Sequence, residues 1–151
     1  MPVSLLSRRG QLALAAVTDI AIHARPLPVA AKALASRLDL PPRRLEPLLQ
    51  ELVHANILKG VRGPRGGYEL ARERRRITAA AILRAISNGA ADETGGPPGC
   101  ALVNQVITPL VEEAWKVFLE KLDAITVDDI CRQAENLEKP PQQMAGADFI
   151  I

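Results

Sequence analysis

Apolar positions recur along most of this chain at steps of three and four, the spacing that puts side chains on one face of a helix. In RRGQLALAAVTDIAIHA, residues 8–24, Leu14, Val17 and Ala21 share a face with Ile20 beside them. Ser7 stands just before it, where a hydroxyl can accept a bond from an otherwise unpaired backbone N–H. RPLP at 25–28 breaks the pattern. VAAKALASRL at 29–38 predicts a short second helix with Leu34 and Leu38 on one side, and Asp39-Leu40 a turn. Pro41 and Pro42 suit the first turn of a third helix, about 41–55, where a missing N–H costs nothing. That helix carries Leu45, Leu48, Leu49, Leu52 and Val53 inward. Pro47 sits late enough to remove a helical hydrogen bond, which predicts a distorted first turn or a local kink.

The period then changes. Short runs near 57–61 and 67–71 predict two strands joined by RGPRGG, whose glycines Gly63, Gly66 and Gly67 permit positive φ or close backbone approach and whose Pro64 stiffens the tip. Thr78 caps a helix through Ile86, and NG at 88–89 ends it. GAADETGGPPG, 89–99, reads as a flexible linker. Beyond it, apolar residues from Val103 to Leu122 recur at helical steps, giving a helix of about twenty residues unless Pro109 starts a shorter one capped by Thr108. Thr126 and Asp129 have capping-box spacing, so TVDDICRQAENL is a short last helix, and KPPQQMAGADFII reads as a loose tail.

The order helix, helix, turn, helix, hairpin, helix is that of a winged helix-turn-helix. The fold expected is mainly α with a small β-hairpin wing, followed by a long dimerisation helix. The division expected is a winged helix-turn-helix domain over 1–88, a linker over 89–100, dimerisation and closing helices over 101–138, and a tail over 139–151.

Charge sharpens this picture. Residues 1–86 carry 15 Lys/Arg against 6 Asp/Glu, a net +9, and residues 87–151 carry 4 against 11, a net −7. One half is built to meet a polyanion, although charge alone does not separate DNA from RNA or an anionic membrane. No apolar run approaches the length of a membrane span, and MPVSLLSRRGQ lacks the apolar segment of a secretory signal. The expectation is a cytoplasmic protein that does not bind membranes, with Cys100 and Cys131 reduced.

In a winged helix-turn-helix the second helix of the pair enters a major groove of double-stranded DNA with its N-terminal residues facing the bases. Here those residues are Arg43, Arg44 and Glu46. Arginine pairs bidentately with guanine and glutamate accepts from a cytosine amine, so they are candidate base readers; binding to phosphates alone is the equal alternative for the arginines. Arg62, Gly63, Pro64 and Arg65 form a narrow, stiff wing tip suited to a minor groove. A phosphate-cradling nucleotide loop fits poorly, because that motif joins a strand to a helix and this loop joins two strands. Arg8 and Arg9, near the start of the first helix, are candidate phosphate contacts, and the run Arg72, Arg74, Arg75, Arg76 is either phosphate contacts or solvated surface.

VRGPRGGYELAR at 61–72 resembles the wing of the Rrf2 family of bacterial transcription regulators, which includes iron–sulfur-cluster, nitric-oxide and cysteine-metabolism regulators. The resemblance extends through RRLEPLLQELVHANILKG at 43–60, LAAVTDIAIHA in the first helix and LDAITVDDI at 122–130, spanning about residues 6–137. It implies a homodimer built on a long helix, here near 101–122, that reads an inverted repeat. It implies DNA-binding roles for Arg43, Arg44 and Glu46 on the recognition helix and for Arg62, Gly63, Pro64 and Arg65 in the wing. It also matches Arg9 to a basic phosphate-contacting position.

The departures concern regulation. Cluster-binding members of the family place three cysteines before the dimer helix; this chain has Cys100 there, with Gln105 and Thr108 where further ligands are expected. Some members draw ligands from the partner's first helix, where the available types here are Asp19 and His23. A cluster usually needs four ligands, mostly thiolates, so an iron–sulfur cluster is disfavoured and no metal site is expected. Cys100 is read as a plain loop thiol, with a redox or cluster ligand as the alternative, because Asp92 and Glu93 oppose a low pKa. His23 and His54 lack zinc-site spacing. A family tyrosine in the first helix is replaced by Leu12. The function expected is therefore a sequence-specific DNA-binding regulator, a homodimeric repressor, with a small-molecule effector as a further partner. The alternatives are a redox or cluster sensor using Cys100 and a protein-interaction adaptor that no longer binds DNA. No catalytic constellation stands out, so an enzyme is not expected.

Overall fold

The computed structural model describes residues 6–87 and 100–137. The expected NG stop at 88–89, the linker stretch 89–99 and the tail 139–151 lie outside the described residues.

Helix α1 (Arg8–His23) begins as its sequence dictates: the Gly10 N–H donates to Ser7 Oγ at 3.1 Å. Its buried face is Ala13, Ala16, Val17, Ile20 and Ala21. Helix α2 (Ala31–Arg37) is shorter than the expected 29–38. Val29 is extended instead and exchanges two backbone bonds with Tyr68, at 2.9 and 2.8 Å. Pairing with the hairpin satisfies its N–H and C=O better than an uncapped first helical turn would. Asp39 then takes φ of 54°, the left-handed geometry of the turn between α2 and α3.

Helix α3 (Pro42–His54) runs unbroken through Pro47. Its first turn is tight, with the Arg44 N–H donating to the Pro41 carbonyl three residues back at 3.0 Å. Leu45, Leu48, Leu49 and Leu52 are buried, a four-leucine seam. The hairpin pairs β1 (Leu58–Val61) with β2 (Gly67–Leu70) in antiparallel register, Leu58 opposite Leu70 and Val61 opposite Gly67. Gly67 is where Val29 crosses: a Cβ there would stand 2.2 Å from the Val29 carbonyl oxygen. At the tip, Gly63 has φ of 118°, a conformation that L side chains rarely adopt.

Helix α4 (Ala79–Ser87) is capped by Thr78, whose Oγ1 accepts from the Ala81 N–H at 3.0 Å. The long apolar helix expected after residue 100 forms, and it contains Pro109 rather than starting at it. A π-helical turn, Val103–Ile107, leads into α5 (Thr108–Leu122), and Thr108 is a helical residue with no side-chain cap. The Thr108 N–H reaches back five residues to the Val103 carbonyl. The wider turn re-registers the hydrogen bonds just where Pro109 cannot donate one. Helix α6 (Val127–Leu137) carries the expected reciprocal cap: Asp129 N–H donates to Thr126 Oγ1 at 3.1 Å and Thr126 N–H to Asp129 Oδ2 at 2.9 Å.

One hydrophobic core serves all of these elements. Ile20 of α1, Leu49 and Leu52 of α3, Ile82 and Leu83 of α4, Leu119 of α5, and Val127 and Cys131 of α6 belong to it. The segment entering α6 is stitched to the segment entering α4: Ala79 N–H donates to the Ile125 carbonyl and Val127 N–H to that of Ile77, each at 2.8 Å.

Candidate nucleic-acid interface

Four buried leucines on one side of α3 fix which side is left outward. At about 100° per residue, the direction opposite the leucine seam is occupied by Arg43, Pro47, Gln50 and His54. All four are exposed. Arg44 and Glu46 flank this face on opposite sides. Arg44 lines an open groove of about 850 Å³ with Arg8, Arg9 and Leu12 of α1 and with Leu38 and Leu40 of the turn. Gln50 and Val53 line a second groove, about 470 Å³, against Gly60, Arg62, Gly66 and Tyr68 of the wing. The recognition helix is thus bordered by the α1 arginines on one side and the hairpin on the other.

Arg62, Gly63, Pro64 and Arg65 are all exposed at the wing tip, where the Gly66 N–H closes the turn onto the Gly63 carbonyl at 2.9 Å. The tip is close-packed backbone carrying two outward cations.

Ion pairing separates the arginines into two populations. Arg37 grips Asp19 with Nε and Nη2 at 2.8–3.1 Å, and that bond raises its pKa. Arg84 holds Asp123 with two bonds of 2.9 Å, which raises the arginine and lowers the aspartate. Arg74 and Arg132 converge on Asp128 at 2.7 and 2.6 Å, and Arg75 lies 3.8 Å from it. Among the described residues, Arg43, Arg44, Arg62 and Arg65 have no carboxylate within ion-pairing distance. The arginines at the start of α3 and at the wing tip are therefore left without an internal carboxylate, as Arg8 of α1 also is, and a polyanion lying across these elements can neutralise them.

Two arginines have internal partners that lie far away in the sequence. Arg9 is not a free cation: its guanidinium pairs with Glu51 on α3, and both side chains are about one-quarter to one-third exposed at 31% and 26%. It braces α1 against the recognition helix and lines the first groove from there. Arg74 is neither solvated surface nor a free phosphate contact, because it lies against the buried Asp128. Asp128 itself was not singled out from sequence; its neighbours Thr126 and Asp129 carry the capping signal, and nothing local marks it as buried. Gln50 was likewise passed over, although its position seven residues after Arg43 puts it on the same face.

The remaining candidates are placed as follows. Cys100 is exposed, at the start of the segment leading into α5, and Cys131 is fully buried, where desolvation pushes its thiol up while the nearby Arg74 opposes the rise. Asp19 is occupied by Arg37, and His23 Nδ1 lies 2.9 Å from the Asp19 carbonyl oxygen of its own helix. Among the described residues no three His, Cys, Asp or Glu side chains are grouped as a metal would need. None of the described helices is long and apolar enough to cross a membrane. Leu102, Val106, Ile107, Leu110, Val111 and Val117 on and before α5 are exposed, and Leu119 alone is buried on it.

Comparison with known proteins gives the family and the fold. The sequence model of the Rrf2 family, described as an iron-dependent transcriptional regulator, matches residues 6–133. The HTH-type transcriptional regulator IscR of Xenorhabdus nematophila is 27% identical over 143 residues, covering 91% of this chain and 85% of that protein. IscR of Yersinia pestis gives the same figures. Among solved structures, T. potens IscR superposes with a TM-score of 0.70 at 31% identity, covering 93% of this chain and 95% of that one. CymR, the global cysteine regulator of B. subtilis, superposes with a TM-score of 0.64 at 26% identity, covering 87% and 98%.

Proposed function

The chain belongs to the Rrf2 family and is a DNA-binding transcription regulator, and from that premise we propose that it acts in the cytoplasm as a homodimeric repressor reading an inverted repeat, without an iron–sulfur cluster and without a catalytic step. The observation that carries the DNA-contacting part is that the exposed arginines at the start of α3 and at the wing tip, Arg43, Arg44, Arg62 and Arg65, have no internal carboxylate partner, whereas Arg9, Arg37, Arg74 and Arg84 are held by carboxylates. In this reading Arg43 and Glu46 face bases, Arg44 clamps a phosphate beside α1, and the tip Arg62-Gly63-Pro64-Arg65 follows the neighbouring groove. Arg9 acts by bracing α1 through Glu51.

The dimer reading rests on α5. Its apolar stripe is wide, solvent-facing and continuous, and a second copy of the same stripe is the self-complementary surface that a two-fold dimer buries. The division into a winged domain over 1–88, a linker over 89–100, dimer-forming helices over 101–138 and a tail over 139–151 is part of the same proposal.

The donor set does not fit a cluster of the usual kind. The whole chain has two cysteines, and one of them, Cys131, is buried in the core. Of the two first-helix donor types, the Asp19 carboxylate is bound by Arg37 and His23 Nδ1 lies 2.9 Å from the Asp19 carbonyl oxygen. Cys100 is then a surface thiol, and the signal sensed is a small-molecule effector acting through the setting of α5 against the winged domain.

The test is fluorescence anisotropy with promoter fragments flanking the protein's own gene, at several salt concentrations. Arg62→Ala and Arg65→Ala should each weaken binding and reduce the salt slope by about 1, with the helical circular dichroism unchanged. Wild-type protein that binds no fragment, or variants that bind as wild type, would point to the adaptor reading.

A further inference from the structure

Resting on the proposed DNA reading, we infer that Gln50 is a sequence-reading residue of α3: its carboxamide, on the outward face in line with Arg43, recognises an adenine edge at a base pair separate from the one Arg43 contacts.

The argument begins with the helix surface. Residues at i, i+3, i+4 and i+7 share a helix face, and a helix lying in a major groove offers side chains at those steps to successive base pairs. Counting from Arg43, those positions are Glu46, Pro47 and Gln50. Arg44 falls off this line onto the α1 side, where it lines the groove with Arg8 and Arg9. Pro47 occupies the middle of the face and has no polar group to offer. The hydrogen-bonding chemistry of the outward face is therefore divided between Arg43 and Glu46 at the N-terminal end, Gln50 beyond Pro47, and His54 at the last residue of the helix, farthest from the end that enters the groove.

Gln50 is also free to act. It is exposed, and among the described residues its carboxamide has no hydrogen-bond partner within the protein. Its neighbours are Val53 and the wing residues Gly60, Arg62 and Tyr68, so it stands where the helix meets the hairpin. Seven residues of helical rise separate it from Arg43 by roughly 10 Å, which is about three base-pair steps at 3.4 Å each. A primary carboxamide presents one acceptor and two donors, which match the N6 amine and N7 of adenine in the major groove, as glutamine and asparagine side chains commonly do. Arginine at the other end prefers guanine. The face thus specifies two separated base pairs by different chemistry, with the apolar ring of Pro47 between them.

The experiment is selection of the full-length protein against duplexes with randomised sequence, repeated for Gln50→Ala, Gln50→Glu and Arg43→Ala, followed by affinities on the selected site and its single-base variants. The expected result is an A·T pair in each half-site that wild type and Arg43→Ala both select and Gln50→Ala does not, with the discrimination at that pair falling by about 5-fold to 100-fold and the salt slope unchanged. Gln50→Glu, which can only accept, should lose adenine and gain preference for the cytosine amine at the same pair. An identical selected sequence for wild type and Gln50→Ala overturns the inference while leaving the DNA-binding reading intact. Failure of wild type to enrich any sequence overturns both. Because Gln50 is on the surface, circular dichroism of each variant should match wild type.

Discussion

Asp128, only 4% exposed at its side chain, accepts from the Arg74 guanidinium at 2.7 Å, so the last helix is clamped to the segment that follows the wing. The Asp128 N–H also donates to the Arg74 carbonyl at 3.1 Å, making the contact two-layered. Removing one member of a buried pair leaves the other charge poorly solvated, at a cost of about 3–5 kcal/mol. Asp128→Ala should therefore lower stability by roughly 3 kcal/mol, at the low end because Arg74 can partly reach water. Arg75, 75% exposed and 3.8 Å from the same carboxylate, gives the internal control: Arg75→Ala should cost less than about 1 kcal/mol. Urea denaturation of the two variants checks the ranking.

Gly67 and Gly60 make a second matched pair. A methyl at residue 67 collides with the Val29 carbonyl at 2.2 Å, whereas one at residue 60 meets nothing within 4 Å. Gly67→Ala should destabilise by roughly 2 kcal/mol, through loss of the two Val29–Tyr68 bonds, while Gly60→Ala should stay within about 0.5 kcal/mol. Amide hydrogen exchange at Val29 and Tyr68, faster in the first variant only, would locate the effect.

Acid should loosen the anchor of α5 and α6. Asp123 is held below its ordinary value of 3.8 by the Arg84 hydrogen bonds, and Asp129 by the Thr126 backbone N–H. A carboxyl depressed in the folded state contributes stability that is complete above its unfolded pKa and is lost as pH falls through the folded value. Stability should therefore fall below the ordinary carboxylate value, and Asp123→Asn should flatten that fall while weakening the protein at neutral pH. Thermal melts between pH 2 and pH 7 read both, the range being set by carboxylate titration at about pH 4.

The two thiols should differ in reactivity. Cys100 is exposed, whereas Cys131 is fully buried with its thiol pushed up by desolvation. Native protein treated with iodoacetamide should be carboxamidomethylated at Cys100 alone, with Cys131 reacting only after unfolding. Peptide mass spectrometry that found both modified at equal rates would contradict the packing of α6.

The stripe on α5 gives the last expectation. Leu110 is 63% exposed in the single chain, so its replacement by aspartate costs the protomer little. In a dimer sealed by this face the same change buries an unpaired charge. Leu110→Asp should sediment as a monomer with native helix content and bind DNA much more weakly than wild type.

Much of the fold was legible because its signals are local. Ser7, Thr78 and the Thr126–Asp129 box act on N–H groups three residues away, and the structure uses all of them. The leucine seam of α3, the hairpin and its glycine-rich tip, and the long apolar helix after residue 100 follow from periods of 3.6 and 2 that any short window displays. Where local rules competed, the longer range decided. Val29 left the start of α2 because a strand 39 positions later offered it two backbone bonds, and Pro109 stayed inside a helix because a π turn took up its missing donor.

What the sequence by itself determined, then, was the list of elements, their caps and the basic character of the first half, all set by residues within about four positions of one another. Only the tertiary structure decided which cations are available. Arg9 and Glu51 are 42 residues apart, and Arg84 and Asp123 are 39 apart, yet each pair is joined. Composition cannot distinguish a neutralised arginine from a free one, since both count as +1. The distinction depends on which helices pack together and on how far each side chain then stands from an acid, and that is what leaves Arg43, Arg44, Arg62 and Arg65 facing outward together.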